Sequence, residues 1–233
     1  VSGVLHGVGL GPGDPELMTL RAHRLIAGAG VIAYPAPDSG ESFARSIAAG
    51  SIPQGVEEIP IVIPMRAERF PAQAVYDQAA GALAERLRAG RDVVVLCEGD
   101  PFFYGSFMYL FGRLAGEFRC EITPGVSSMA AATAAAARPL CARNEVLSVL
   151  PGTLPEDELE ARLAAGGAFA ILKVGRRLPR LRAAIEAAGL GEGAMYVGHA
   201  SLERQVVAPL AEAPQDAPYF SMILVPGRDP HVG

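Results

Sequence analysis

The residues best suited to chemistry fall in three short segments. Glycines alternate in Gly7-Val8-Gly9-Leu10-Gly11-Pro12-Gly13, ahead of Asp14-Pro15-Glu16-Leu17. A second Gly-Asp-Pro lies in Glu98-Gly99-Asp100-Pro101-Phe102-Phe103-Tyr104-Gly105, and Thr123-Pro124-Gly125-Val126-Ser127-Ser128 forms the third. Glycine lets main chain approach a ligand and take positive φ. Asp100 suits a ligand hydroxyl or a helix cap, and hydroxyls like Ser127 and Ser128 at a helix start do either job. Each segment also has a plain reading, as an ordinary strand-to-helix turn or a helix cap.

Several chemistries are excluded. A G-x-G-x-x-G fingerprint would need glycine where Pro12 or Asp14 stands, and the second strand-like run reads Val-Ile-Ala-Tyr-Pro, without the acidic residue that would bind a ribose. There is no Gly-Lys-Ser/Thr phosphate loop and no Gly-x-Ser-x-Gly elbow. His6, His23, His199 and His231 have no metal-ligand spacing, and Cys97, Cys120 and Cys141 do not form a zinc pattern, so no metal is expected. Cys97 and Cys120 read as buried thiols in a reducing, cytoplasmic setting. No signal peptide and no bilayer-spanning run is legible. The net charge of −5 argues against nucleic acid as partner. Lys173 is the only lysine, so nearly every cation is an arginine. That pattern is either compositional bias or a set of carboxylate-binding groups.

Strand-like and helix-like stretches alternate along the 233 residues. Val4–Val8, Val31–Tyr34, Val56–Ile63, Asp92–Cys97 and Cys120–Ile122 read as strands. Between them, Glu16–Ala27, Ser42–Ala49, Ala72–Ala89 and Phe107–Ala115 read as helices. Pro35 and Pro37 stop the second strand, and Asp14 caps the first helix. The rhythm resumes with helices at Val126–Ala137, Glu156–Ala165 and Pro179–Ala188. The strands there are Glu145–Leu150, Phe169–Val174, Met195–Val197 and Tyr219–Val225. Alternation predicts an α/β protein with mostly parallel sheets. The turn at Thr123-Pro124-Gly125 suggests two α/β domains, 1–122 and 123–233.

In this order, the three segments resemble the tetrapyrrole (corrin/porphyrin) methylase superfamily, the class III S-adenosylmethionine-dependent methyltransferases. Pro139-Leu140, Leu172-Lys173-Val174-Gly175 and the closing strand carry the resemblance across nearly the whole chain. Within the superfamily the chain is similar to the branch that methylates C20 of precorrin-2 in cobalamin (vitamin B12) synthesis. That likeness rests on Tyr34-Pro35, Ile59–Met65, Gly99–Tyr104 with Met108-Tyr109-Leu110, Val149–Thr153 and Leu172–Arg176.

The resemblance implies two α/β domains with a cofactor cleft between them, a homodimer, and S-adenosyl-L-methionine as cofactor. It implies cofactor contacts at Pro12, Gly99, Asp100, Phe103, Ser127 and Ser128, and in the second half at Val174, Ala200 and Ser221. Glu98 and Tyr104 flank the second loop and are the candidates for a proton acceptor, with a structural role as the alternative. The implied substrate carries eight carboxylates, which makes Arg45, Arg66, Arg138, Arg143 and Arg176 candidate partners. Three other readings stay open. One is a methylase for the cobalt-containing substrate of the anaerobic route. The second is a same-fold methylase for ribosomal RNA or a protein, and the third a binding module without turnover.

Overall fold

The computed structural model describes residues 1–63 and 70–228. Arg66, His231 and the Pro64-Met65 end of the third strand fall outside them. Contacts divide the chain into two units, one ending at Ser127 and the other starting at Ser128, just past the Thr123-Pro124-Gly125 turn.

The first unit is a five-stranded parallel sheet: β1 (Leu5–Gly9), β2 (Val31–Ala36), β3 (Glu57–Val62), β4 (Val93–Cys97) and β5 (Cys120–Thr123). Its order is β3-β2-β4-β1-β5. Because side chains alternate across a strand, Val93, Val95 and Cys97 of β4 enter one core and Val94 and Leu96 the other. The first core takes Leu83 and Leu87 of α3 (Phe70–Arg88) and Phe107, Leu110 and Leu114 of α4 (Phe107–Leu114). The second takes Ala22 and Ile26 of α1 (Leu20–Ala27) and Ala44 and Ile47 of α2 (Phe43–Ala48). Gly7 has a packing cause: a Cβ there would lie 2.5 Å from the Phe107 ring.

Two expectations change. The stretch from Glu16 to Ala27 is not one helix. Asp14 caps a 3-10 turn at Pro15–Leu17, Met18 is extended, and Thr19 Oγ1 accepts the Ala22 N–H at 3.1 Å to start α1 afresh. Leu20, the first residue of α1, is exposed. Nor does Pro35 stop β2. The pairing of β2 with β4 ends at Ala33↔Val95, while its pairing with β3 continues to Ala36↔Val62. Proline is tolerated where one side of the ladder is already free.

The second unit opens with α5 (Ser128–Ala135) and holds β6 (Leu147–Pro151), α6 (Glu156–Ala164), β7 (Ala168–Leu172), α7 (Leu178–Ala187), β8 (Met195–Gly198), β9 (Val206–Pro209) and β10 (Ser221–Val225). Its sheet order is β6-β7-β10-β8-β9. Only β6 and β7 run parallel; β10 is antiparallel to β7 and β8, and β8 to β9. The mostly parallel expectation therefore fails in this half. No helix separates β8 from β9, so the chain turns back on itself. β9 was not expected, because it is four residues long and only half-buried.

Prolines mark the sheet edges. Pro60 is exposed on edge strand β3, and Pro151 and Pro209 end edge strands β6 and β9. Glu57 and Ile63 donate their N–H groups inward, to Gly30 and Ala36 carbonyls. By alternation, position 60 faces the free edge.

Candidate functional site

In the first unit the helices that follow β1 and β4 lie on opposite faces of the sheet, since α1 belongs to one core and α4 to the other. These strands are neighbours, so the carboxyl ends of β1 and β4 flank the topological switch point, where open parallel sheets bind ligands. All three glycine-containing segments emerge at this edge.

Main chain meets main chain there. Gly11 N–H donates to Gly99 O at 3.2 Å, Gly99 N–H to Gly11 O at 2.7 Å, and Leu10 N–H to Cys97 O at 2.9 Å. Gly11 and Gly99 have φ of 83° and 63°, in the left-handed region where a side chain is strained. A Cβ on Gly9 would fall 2.5 Å from Gly125 N, and one on Gly125 would strike Gly99 O. The three loops thus pack at a distance only glycine permits. Gly99 differs: a Cβ there would have no heavy atom within 4 Å. Its open side forms a cradle of accessible backbone. Pro12 sits half-buried between Gly11 and Gly13.

Asp100 holds this arrangement together. Oδ1 accepts the N–H groups of Phe102 at 2.9 Å and Phe103 at 3.1 Å, and Oδ2 accepts Gly125 N–H at 3.0 Å. It caps its own loop and ties the third loop to the second, rather than capping a helix. Glu98 is half-buried at the end of β4. Burial raises its carboxyl above the ordinary value, and the Ala44 backbone N–H at the start of α2 pulls the other way. Tyr104 is exposed, with φ of 58° and its ring edge-on to Phe103 at 5.2 Å. Ser127 is half-buried, and Ser128, the first residue of α5, is exposed.

No motif singles out Tyr76. Its phenol is raised chiefly by burial, opposed by a hydrogen bond with Ser106, with smaller upward pushes from Tyr109, Cys97 and Glu98. Tyr76 thus stands near the end of β4, although in sequence it is one apolar-face residue of a long helix.

In the second unit, register gathers Val174, Ala200 and Ser221. Ser221 begins β10 opposite Gly198, the last residue of β8, and Gly175 N–H donates to Ser221 Oγ at 3.4 Å. The Ser221 hydroxyl itself donates to Pro218 O at 2.6 Å. Val174 is fully buried in the core and leaves no surface for a ligand, whereas Ala200 is half-buried. Strained backbone clusters at this end of the sheet, at Lys173 (φ 57°), His199 (φ 49°) and Ser201 (φ 70°). His199 Nδ1 is buried there with no hydrogen-bond partner among the described residues, and Tyr196 Oη is buried beside the Ser221 hydroxyl. Burial, and then the nearby Arg204, lower the His199 imidazole.

The arginine candidates separate. Arg45 is engaged, donating Nε to Glu58 Oε2 at 2.6 Å and Nη2 to Oε1 at 2.8 Å, so its fork is already filled by a carboxylate. Arg138 lines an open groove of about 530 Å³ with Met129, Ala134, Pro139 and Leu147. Arg143 is exposed, at φ of 48°. Arg176 is exposed in the 3-10 turn Gly175–Arg177, and no ion pair or hydrogen bond engages its guanidinium among the described residues.

Comparison with known proteins agrees with this geometry. The family model for tetrapyrrole (corrin/porphyrin) methylases matches residues 4–214. The precorrin-2 C(20)-methyltransferase of a Sinorhizobium species is 43% identical, over 97% of this chain and 96% of its own. The cobalamin biosynthesis protein CobIJ of Mycobacterium bovis is 45% identical over 97% of this chain, which spans about half of that longer relative, 46%. The X-ray structure of the cobalt precorrin-4 methyltransferase CbiF superposes with a TM-score of 0.74 at 26% identity, over 96% of this chain and 94% of that one. With three loops meeting on glycine at a parallel-sheet switch point and these matches along its length, the chain belongs to the tetrapyrrole (corrin/porphyrin) methylase family.

Proposed function

We propose that the chain is an S-adenosyl-L-methionine-dependent C-methyltransferase of cobalamin synthesis that methylates C20 of precorrin-2 to give precorrin-3A. The observation that carries this is the 43% identity to a precorrin-2 C(20)-methyltransferase along almost the full length of both chains. The glycine cradle fits the cofactor: Gly99 leaves open space where any other residue would put a Cβ.

When bound, S-adenosylmethionine supplies an electrophilic methyl group on a sulfonium. The meso carbon of a reduced tetrapyrrole is electron-rich, so the protein's work is alignment and exclusion of water. Positioning of this kind supplies ~7–11 kcal/mol in favourable cases. Pro12, Gly99 and Phe103 line the cofactor, and Asp100 holds the second and third loops in register through its three N–H partners. Ser127 and Ser128 contribute from the third loop. In the second unit this reading assigns cofactor contact to Ala200 and Ser221 and only packing to Val174. Glu98 is the proton acceptor after carbon–methyl bond formation, since its raised carboxyl binds a proton more readily than an exposed one. Tyr104 is the other candidate. Arg138, Arg143 and Arg176 take substrate carboxylates.

The enzyme works as a cytoplasmic homodimer in this reading. The test is turnover of methyl-labelled S-adenosylmethionine with precorrin-2, with the methylated carbon located by NMR. Label at C20 is expected, and no transfer would refute the proposal. A parallel run with cobalt-loaded substrate separates the metal-free from the anaerobic route.

A further inference from the structure

Among the described arginines of the first unit, all but Arg24 meet a carboxylate, each at 3.3 Å or less. The second unit departs from that habit at one place. Residues 173–182 hold Lys173, Arg176, Arg177, Arg180 and Arg182 and no acid. None of these arginines pairs with a carboxylate among the described residues. Arg180 and Arg182 are held by main chain instead. Arg180 Nη2 donates to Gly152 O at 2.7 Å and Arg182 Nη2 to Ala213 O at 3.1 Å. No hydrogen bond holds the guanidinium of Arg176 or Arg177 among the described residues. Uncompensated positive charge therefore gathers at the start of α7. That is the wrong end for it, because the amino end of a helix is already positive. α6 has the ordinary arrangement, with Glu156, Asp157 and Glu158 in its first turn. Cations at a helix start cost stability twice, through the dipole and through one another, so folding alone does not account for them.

We propose that this turn is an electropositive capture surface, which draws the polycarboxylate methyl acceptor to the second unit and speeds its encounter with the enzyme. The inference rests on the function proposed above. It goes beyond the contact assigned to Arg176, since Arg177, Arg180 and Arg182 act through their field. Three observations favour this occupant. The turn lies at the sheet end that holds the cofactor candidates, because Gly175 N–H donates to Ser221 Oγ at 3.4 Å. The cofactor itself is a poor match, since S-adenosylmethionine carries a sulfonium and an ammonium against one carboxylate. Finally, the chain has a net charge of −5, which repels an octacarboxylate at long range. A local positive field gives such a ligand a landing place, and fields of this kind raise association rates by about 10–1,000-fold.

The test is stopped-flow association of uroporphyrin, an octacarboxylate macrocycle, with the full chain, followed by fluorescence quenching at rising salt. Calorimetry with S-adenosylhomocysteine runs alongside. Arg177→Glu reverses one charge of the turn. It removes no capping bond, and an acid there suits the dipole of α7. Arg177→Gln removes the charge alone. Arg24→Glu, on the exposed side of α1, changes net charge as much as Arg177→Glu and serves as the control. In wild type the association rate is expected to fall steeply with salt. At low salt Arg177→Glu should associate about tenfold more slowly and dissociate at the wild-type rate, with Arg177→Gln between the two. At about 1 M salt, where charges are screened beyond about 3 Å, the rates should converge. Arg24→Glu should lose at most about twofold. S-adenosylhomocysteine affinity should match wild type throughout. Equal slowing by Arg24→Glu would make net charge the cause and overturn the surface. Folded Arg177 variants that associate as wild type does, or that change only dissociation, would overturn it too. Salt-dependent binding of a single-stranded RNA, lost in Arg177→Glu while porphyrin association is kept, would assign the turn to nucleic acid. Wild type that binds S-adenosylhomocysteine but no porphyrin would overturn the capture surface, whereas wild type that binds no S-adenosylhomocysteine would refute the proposed function.

Discussion

At the scale of single residues, glycine and acid divide the work of the first unit's edge. Gly7 and Gly9 make room for the protein's own atoms, while Gly99 leaves room for something else. Gly99→Val should therefore fold, destabilised by about 1–2 kcal/mol for a side chain in the left-handed region. Its affinity for S-adenosylhomocysteine should fall far more than its stability does. Thermal unfolding and calorimetry on one preparation check both, and unchanged affinity in a folded variant would move the cofactor elsewhere. Glu98 makes a pH prediction. Burial raises its carboxyl, so the folded chain holds that proton more tightly than the unfolded chain. Its contribution to stability is then best below the unfolded value and falls as pH rises through the raised folded value. Glu98→Gln stays neutral and still accepts from Ala44. It should raise Tm at neutral pH and change it little near about pH 4, where an ordinary glutamate is already half protonated. Thermal melts at the two pH values read this directly. The glycine and acid types were legible in the sequence. What each one touches was not, because Gly7 facing Phe107 and Gly99 facing open space look alike in a string of letters.

Elements were legible where periodicity ran long and hidden where a local hydrogen bond overrode it. The buried run Val93–Cys97 and the helix of α3 were read almost to their ends. The break at Met18 was not, since Thr19 competes for the helix start through one side-chain bond. Likewise β9 lacks any period, and β10 is held antiparallel by partners distant in sequence. Element ends also sort the arginines. Arg45, on α2, is paired with Glu58 of β3, and that pair holds the Glu58 carboxyl below its ordinary value. Arg176, in the turn before α7, has no such pair among the described residues. Arg45→Ala should leave KM for the tetrapyrrole unchanged and lower stability by at most about 1 kcal/mol, as half-exposed pairs do. Arg176→Ala should raise that KM about tenfold, the effect of one charge-assisted hydrogen bond, with S-adenosylhomocysteine affinity unchanged. Steady-state kinetics on both variants decide the matter. A raised KM for Arg45→Ala, or none for Arg176→Ala, would reverse the assignment.

For the molecule as a whole, each unit has its own sheet and its own pair of apolar cores. Two sheets leave four edge strands, each a row of unpaired peptide groups on which another chain can grow. Three of the four carry proline. At Pro60 the missing N–H is the one that would face outward, so an incoming strand finds a gap and a ring where it needs a donor. Fibril growth by strand addition is thereby blocked at the long edge of the parallel sheet without disturbing the inward bonds of Glu57 and Ile63. Pro60→Val should keep native spectra and activity. On warming below Tm it should scatter light sooner and bind an amyloid dye, at a rate that climbs with protein concentration. Solubility, like the site at the carboxyl ends of the strands, depends on where the backbone has been left without a partner.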